Sequence, residues 1–388
     1  MGLDFKIRTF VMKKLNLFTM GLMLIHATGA IADEHSLAKL TDLAGASGFE
    51  KSVRDAVKQQ WQPSMNRITV DGMGNLIGQY KTNQKGPNVL LMAHMDEVGY
   101  MIESITPDGF LKIIPLGGIP SSVIFAQRWM VSTPKGPILA YSGMDSTHLI
   151  DEVKKNQLPK GNAVFLDIGA ETKEQAETKF NVRPGLQVTP ASQFSALSEN
   201  RFLAKALDDR LGLALISDVL DSIKNQERPN QLYAAATVQE EVGLRGASTV
   251  YKSTHPDITI NVEVGIADDY PALIAKRKGR IALGKGPTLF VFDRSMIPHQ
   301  ELLNWVLDLA KKNNIQVQLE SEIGYGQDGS KVQSSGSGVP SINIGVPIRY
   351  AHQQAGMFDK RDYDQAVKLV SLIVTHLNQQ VVEQIKAG

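Results

Sequence analysis

Five separated places in the sequence set carboxylates or imidazoles where predicted strands end or helices begin. They are His94 with Asp96, Asp208 with Asp209, Glu240 with Glu241, Glu263, and His352. In open α/β sheets, ligands gather outside the carboxyl ends of the strands. A buried, unpaired carboxylate is expensive to desolvate, and a metal cation is a common way to offset that cost. Two imidazoles with several carboxylates form a borderline N/O donor set, suited to zinc, cobalt or manganese rather than calcium. Two cations about 3.5–4 Å apart need a shared anion, so one carboxylate would bridge them. Another would take a proton from the activated water, and the adjacent pair Glu240-Glu241 suits that division. In an extended chain, neighbouring side chains point to opposite sides, one toward metal and one toward substrate.

Each residue also has a structural reading. His94, after an apolar strand, could be a satisfied core histidine, and Asp96 could cap a turn. Asp208-Asp209 precedes a helical run and could be an N-cap pair. Glu240-Glu241 could be a solvated turn. Glu263 sits inside the apolar Asn261-Val262-Glu263-Val264-Gly265, where a solvated face is less expected. His352 alone says little. The joint placement of these groups is the signal, and residue type and spacing leave both readings open. His148, His255 and His299 lack acidic partners of matching pattern, His26 falls in the expected signal, His35 lies near the expected new terminus, and His376 sits within the closing helix.

The positioning elements can be read from periodicity. Leu37 to Leu43 and Ser52 to Trp61 look helical, with a break at Gly45-Ala46-Ser47-Gly48. Short apolar runs at 88–92, 232–238, 258–264 and 341–346 read as buried strands; the third carries Glu263, and the others are followed by chemistry-bearing segments. Leu211, Ala214, Leu215, Val219 and Leu220 have helical spacing, as do Leu302, Leu303, Val306, Leu307 and Ala310. Tyr363 to Ile385 reads as one long closing helix. Helices interleaved with buried strands imply an α/β sheet covered on both faces. The stretch 107–199, rich in short strand-like runs and turn residues, reads as a small β-rich insertion between catalytic segments 33–106 and 200–388.

Composition bounds the class. The chain has 388 residues, 43% apolar and 21% charged, which fits a packed globular protein of about two domains. Net charge is +1, and no long basic run supports nucleic-acid binding. Residues 1–32 read as an export signal: Lys13-Lys14, an uncharged apolar stretch from Leu15 to Ala30, then Ala30-Ile31-Ala32 before Asp33. The apolar run is shorter than the ~20 residues a membrane span needs. The expected location is therefore periplasmic or secreted, with no stable membrane span after cleavage. With no cysteine, the protein has neither disulfides nor a thiol nucleophile.

Taken with their flanks, these segments closely resemble the tetrahedral aminopeptidases, also called the glutamyl or deblocking aminopeptidase family of cocatalytic dinuclear metallopeptidases. The matching stretches are 45–50 (GASGFE), 71–76 (DGMGNL), 93–99 (AHMDEVG), 205–210 (KALDDR) and 239–247 (QEEVGLRGA). Others are 116–118, 165–170, 182–185, 284–287 and 349–352. The likeness covers nearly all of the chain after the signal. It implies an α/β/α catalytic domain with a β-rich insertion that helps a homo-oligomer form, from a dimer to a tetrahedral dodecamer. It implies two divalent ions per chain, zinc first and cobalt or manganese as alternatives. His94, Asp208 and Glu263 would hold one ion; Asp208, Glu241 and His352 would hold the other, with Asp208 as the bridge. Asp96 would orient His94, and Glu240 would be the general base. The implied substrates are peptides with a free N-terminus. This chain departs from the family's usual Asp at Glu263 and its usual Gly-Thr-Asp-Ala at Gly326-Gln327-Asp328-Gly329; Gln353 also follows His352 where Ser is common.

Two other functions use the same groups. A glycoside hydrolase could employ Glu240 with Glu263 and no metal. A non-catalytic metal-binding scaffold would have no need of Glu240.

Overall fold

The computed structural model describes residues 34–388 apart from 83–84, 147, 150–156, 158–163, 272 and 274–280. The expected export signal, residues 1–32, lies outside the described residues. Among those described, no helix is long and apolar enough to cross a membrane.

The apolar runs pair as a parallel set. Gln231–Thr237 lies beside Asn88–His94, which lies beside Ile258–Ile266, which lies beside Ser341–Arg349, and all three pairings are parallel. Antiparallel strands Met65–Val70 and Leu76–Tyr80 extend one side; Gly356–Asp359, Arg201–Ala204 and Ser195–Ala196 extend the other. Thr288–Asp293 pairs with Ser341–Arg349 and with Gln318–Glu322.

Parallel strands are buried on both faces, which explains their continuous apolar character. In Asn88–His94, Val89, Leu91 and Ala93 pack with the helices Leu207–Ser222 and Lys360–His376. Leu90 and Met92 point the other way, toward Ala247–Thr254 and Gly329–Gln333. The result is a three-layer α/β sandwich whose parallel strands all end on one side.

A second, six-stranded antiparallel sheet is formed by Gly136–Ser142, Gln127–Thr133, Gln187–Pro190, Gly99–Ile105, Leu111–Leu116 and Phe165–Leu166, in that order. It has its own core around Trp129, Leu111 and Val188. Its strand Gly99–Ile105 precedes the 107–199 stretch, while Ser195–Ala196, inside that stretch, pairs with the large sheet.

The closing helix is two helices, Lys360–His376 and Gln379–Ala387. Periodicity bridges the gap because apolar residues continue through it. Asn378 is extended and its side chain accepts the Val381 amide, so it ends one helix and caps the next.

A buried ion cluster fastens the loops that carry the site. The Lys205 ammonium lies 2.6 Å from Glu97 Oε1 and also donates to the Leu43 carbonyl. Arg210 donates to the carbonyls of Met95 and Leu40, with Glu97 3.8 Å away. All three side chains are buried. Glu97→Gln should therefore destabilise the fold by about 3–5 kcal/mol, because it leaves two buried cations without their anion. Equilibrium denaturation checks this; a loss under 1 kcal/mol would show the cluster to be dispensable.

Candidate active site

His94 is the last residue of its strand. Its Nδ1 lies 3.0 Å from the Asp96 carbonyl oxygen and 3.5 Å from Asp96 Oδ1. A carbonyl only accepts, so Nδ1 carries a proton and Nε2 is the nitrogen that faces outward. His352, beyond the strand Ser341–Arg349, repeats the arrangement: its Nδ1 is 2.8 Å from the Gly118 carbonyl oxygen. The turn ahead of Gly118 depends on Gly117, which has φ +91° and would set a Cβ 2.8 Å from Val98 and 3.3 Å from Glu241.

The two outward nitrogens face one carboxylate. Asp208 Oδ1 lies 2.9 Å from His94 Nε2, and Asp208 Oδ2 lies 3.3 Å from His352 Nε2. Glu263 Oε1 is 3.6 Å from His94 Nε2, and Glu241 Oε1 is 3.4 Å from His352 Nε2. Two three-residue groups thus share Asp208. Tetrahedral zinc with bonds of about 2.0–2.1 Å separates its ligand atoms by roughly 3.3–3.4 Å. The observed spacings bracket that value. Glu241 Oε1 is buried and without a hydrogen-bond partner, as a ligand atom would be. The donor set fits a pair of divalent cations.

The N-cap reading of Asp208-Asp209 resolves into two roles. Asp209 is the capping residue: its Oδ1 accepts the Gly212 amide at 3.0 Å and its Oδ2 accepts the His94 amide at 3.2 Å. Asp208, with non-helical backbone angles, turns its side chain to the imidazoles. Donor atoms of His94, Asp209 and Glu263 also lie within 4.8 Å of one another, as do those of His94, Asp208 and Glu241. Asp209 is already engaged by two backbone amides.

Glu240 and Glu241 diverge for a different reason than an extended chain. Gln239 has φ +56°, and the chain turns after Thr237. The Glu240 and Glu241 amides both donate to the Asp96 carboxylate, at 3.0 and 3.2 Å, and Ser47 Oγ donates to it at 2.6 Å. Asp96 therefore holds both His94 and the Glu240 turn. Glu241 reaches His352, while Glu240 lines a cavity of about 770 Å³ together with Asp208, Glu263 and His352.

The longer side chain at position 263 is accommodated by splitting its oxygens. Oε2 accepts the Tyr325 hydroxyl at 2.9 Å and the Val264 amide at 3.0 Å. Oε1 stays free to face His94. Tyr325, which sequence reading does not single out, is the missed residue here; a lone Tyr in a Gly-rich loop carries no pattern.

The electrostatics reflect a dense cluster of buried carboxylates around the two imidazoles. Burial and the charge on Asp208 push Glu263 up to about 8. Burial raises Glu240 well above the carboxylate range, with Glu241, Glu263 and Asp328 adding to the effect against His94. Burial would weaken both imidazoles, but the surrounding carboxylates reverse this. Glu263, Asp208 and Asp96 raise His94 well above its usual value, and Glu241 with Asp208 pushes His352 up to about 12. Burial also works against ionised Asp208, yet hydrogen bonds from His352 and His94 hold it low. Closely spaced carboxylates call for positive charge, and two divalent cations would supply it.

Residues 74–369 match the profile of the family described as M42 glutamyl aminopeptidase. A lysyl aminopeptidase of Pyrococcus furiosus is 32% identical over 352 residues, 89% of this chain and 98% of that one. A solved TET aminopeptidase from a marine sediment Thaumarchaeota archaeon aligns with a TM-score of 0.87 at 34% identity, covering 90% of this chain and 98% of that one. The TET1 peptidase of Pyrococcus horikoshii, described as able to assemble into a tetrahedron or a large octahedral shell, aligns with a TM-score of 0.79. Its identity is 29%, over 88% of this chain and 99% of that one.

Proposed function

The chain belongs to the M42 glutamyl aminopeptidase family and is an aminopeptidase, a peptide hydrolase acting at N-terminal residues; from that premise we propose a dinuclear-metal mechanism with Glu240 as its general base. His94, Asp208 and Glu263 would hold one divalent cation, and Asp208, Glu241 and His352 the other. Bound there, such a pair lowers the pKa of water toward ~7 and polarises the scissile carbonyl.

The chain's own residues do the rest. Glu240 takes the proton of the attacking water and passes it to the leaving amine. The Asp96 backbone carbonyl accepts from His94 Nδ1 and its carboxylate accepts the Glu240 amide, so one residue aligns ligand and base. Tyr325 keeps one Glu263 oxygen turned away from His94.

The observation that carries this reading is Asp208, whose two oxygens face the Nε2 atoms of two imidazoles that are each anchored through Nδ1 on a backbone carbonyl. Borderline donors favour zinc, with cobalt and manganese as alternatives. The test is hydrolysis of a panel of aminoacyl-p-nitroanilides before and after exhaustive chelation, then after reloading with each metal. Loss on chelation and recovery on reloading are expected. Undiminished turnover by metal-free protein would rule out the dinuclear mechanism.

We propose also that the protein is a homo-oligomer, on its likeness to a peptidase that forms closed shells. Light scattering of the same preparation checks this, and a monomer would count against it.

A further inference from the structure

Two side chains of the catalytic cavity take no part in the chemistry described above. Arg294 and Lys331 line the same cavity as Glu240, Glu241 and His352. Both are exposed, and neither guanidinium nor ammonium has a hydrogen bond or ion pair among the described residues. Every other charged group lining the cavity belongs to the proposed metal centre or is Glu240. Cations holding the carboxylates would leave Arg294 and Lys331 as the exposed positive groups of the wall, with the buried Asp328 carboxylate also acting on Lys331.

That wall is built rather than loose. Buried Asp293 accepts the amides of Ser295 and Met296 at 2.7 and 2.8 Å, and the Ser295 hydroxyl at 2.6 Å. Gln327 donates its side-chain amide to Asp293 Oδ2 at 3.2 Å and its backbone amide to Ser295 Oγ at 3.1 Å. The Arg294 amide donates to the Tyr325 carbonyl at 2.9 Å, and the Tyr325 hydroxyl holds Glu263. Gly329 makes room for this arrangement, since a Cβ there would sit 2.7 Å from Gln327 Oε1. The departures at Gln327 and Gly329 therefore go together: the glutamine folds into the space an alanine methyl would fill and ties the Arg294 loop to the metal-side loop.

We propose that Arg294 and Lys331 are specificity-determining residues that bind a carboxylate of the peptide substrate; this rests on the aminopeptidase reading of the cavity. Arginine pairs with a carboxylate through two parallel N–H donors, and lysine adds a point charge. A carboxylate can come from an N-terminal Glu or Asp side chain, or from the C-terminus of a short peptide. Both present the same group to the same cations.

The experiment uses the full chain reloaded with metal. Glutamyl-, leucyl- and lysyl-p-nitroanilide vary the side chain without a C-terminal carboxylate. Leucyl-leucine against leucyl-leucinamide varies the C-terminus without an acidic side chain. In at least one arm, kcat/KM should favour the anionic substrate over its neutral counterpart by about 10- to 100-fold, mainly through KM. Arg294→Glu with Lys331→Glu should abolish that ratio, and in the side-chain arm should invert it toward lysyl. A gain of lysyl turnover cannot arise from misfolding. Should the charge-reversed protein fail to fold, Arg294→Gln with Lys331→Gln should flatten the same ratio.

A preference in the p-nitroanilide arm identifies the side chain as the source; one in the dipeptide arm identifies the C-terminus. A wild-type enzyme that cleaves these substrates but favours neither anion overturns the proposal and leaves the aminopeptidase reading standing. So does a ratio unchanged in the variants. No turnover of any substrate removes both.

Discussion

Glu240→Gln should lower kcat by about 10²–10⁴-fold while the protein still binds two ions per chain. The side chain lines the cavity beside Asp208, Glu263 and His352, yet among the described residues no imidazole lies within ion-pair distance of it, whereas Glu241 is 3.4 Å from His352. Its backbone is held by Asp96, so the amide variant keeps the turn and changes only the proton acceptor. A glutamine cannot take the proton of water or return it to the amine. KM should change little, because no substrate-positioning contact is removed. Metal analysis with steady-state kinetics tests this. Turnover within about tenfold of wild type would take Glu240 out of the role of base.

The second large effect is expected from Asp208→Ala. Two divalent ions in neighbouring sites would repel strongly, and the Asp208 carboxylate, which faces both imidazoles, would offset that repulsion. Without it, each remaining set has one imidazole and one carboxylate, too few for a tight site. Changes to outer hydrogen-bond partners alone weaken metal binding by about 10–100-fold, and losing a shared ligand should exceed that for both ions. Ions measured per chain should fall from two to below one, and activity with them. Added zinc should no longer stabilise the variant, whereas saturation at about 100 times Kd contributes roughly 2.7 kcal/mol to wild type. Two ions per chain in the variant would contradict the bridging role.

The charge-bearing residues of the site were legible because their types are costly where they stand. Glu263 inside an apolar strand, and His94 at the end of another, are hard to explain as solvated surface. The strands were legible for the related reason that parallel strands covered on both faces read as unbroken apolar runs. Tyr325, Ser47 and the Lys205–Glu97–Arg210 cluster were not, because they act through one or two contacts made between distant segments. The break at Asn378 was hidden because apolar spacing continues across it and only the cap interrupts the helix.

The sequence by itself determined which groups exist, their order along strands and helix starts, and the layered α/β class those elements must form. Residue type and spacing left Asp208 and Asp209 equivalent, and only the family resemblance divided their roles and those of Glu240 and Glu241. The tertiary structure gives the adjacent residues different surroundings. Asp209 is consumed by two amides, which leaves Asp208 to face both imidazoles, and a left-handed Gln239 turns the glutamate pair around the Asp96 carboxylate. Adjacent identical side chains differ only through the partners that folding brings to them, and those partners lie more than a hundred residues away in the chain for Asp208 with His94 and for Glu240 with Asp96.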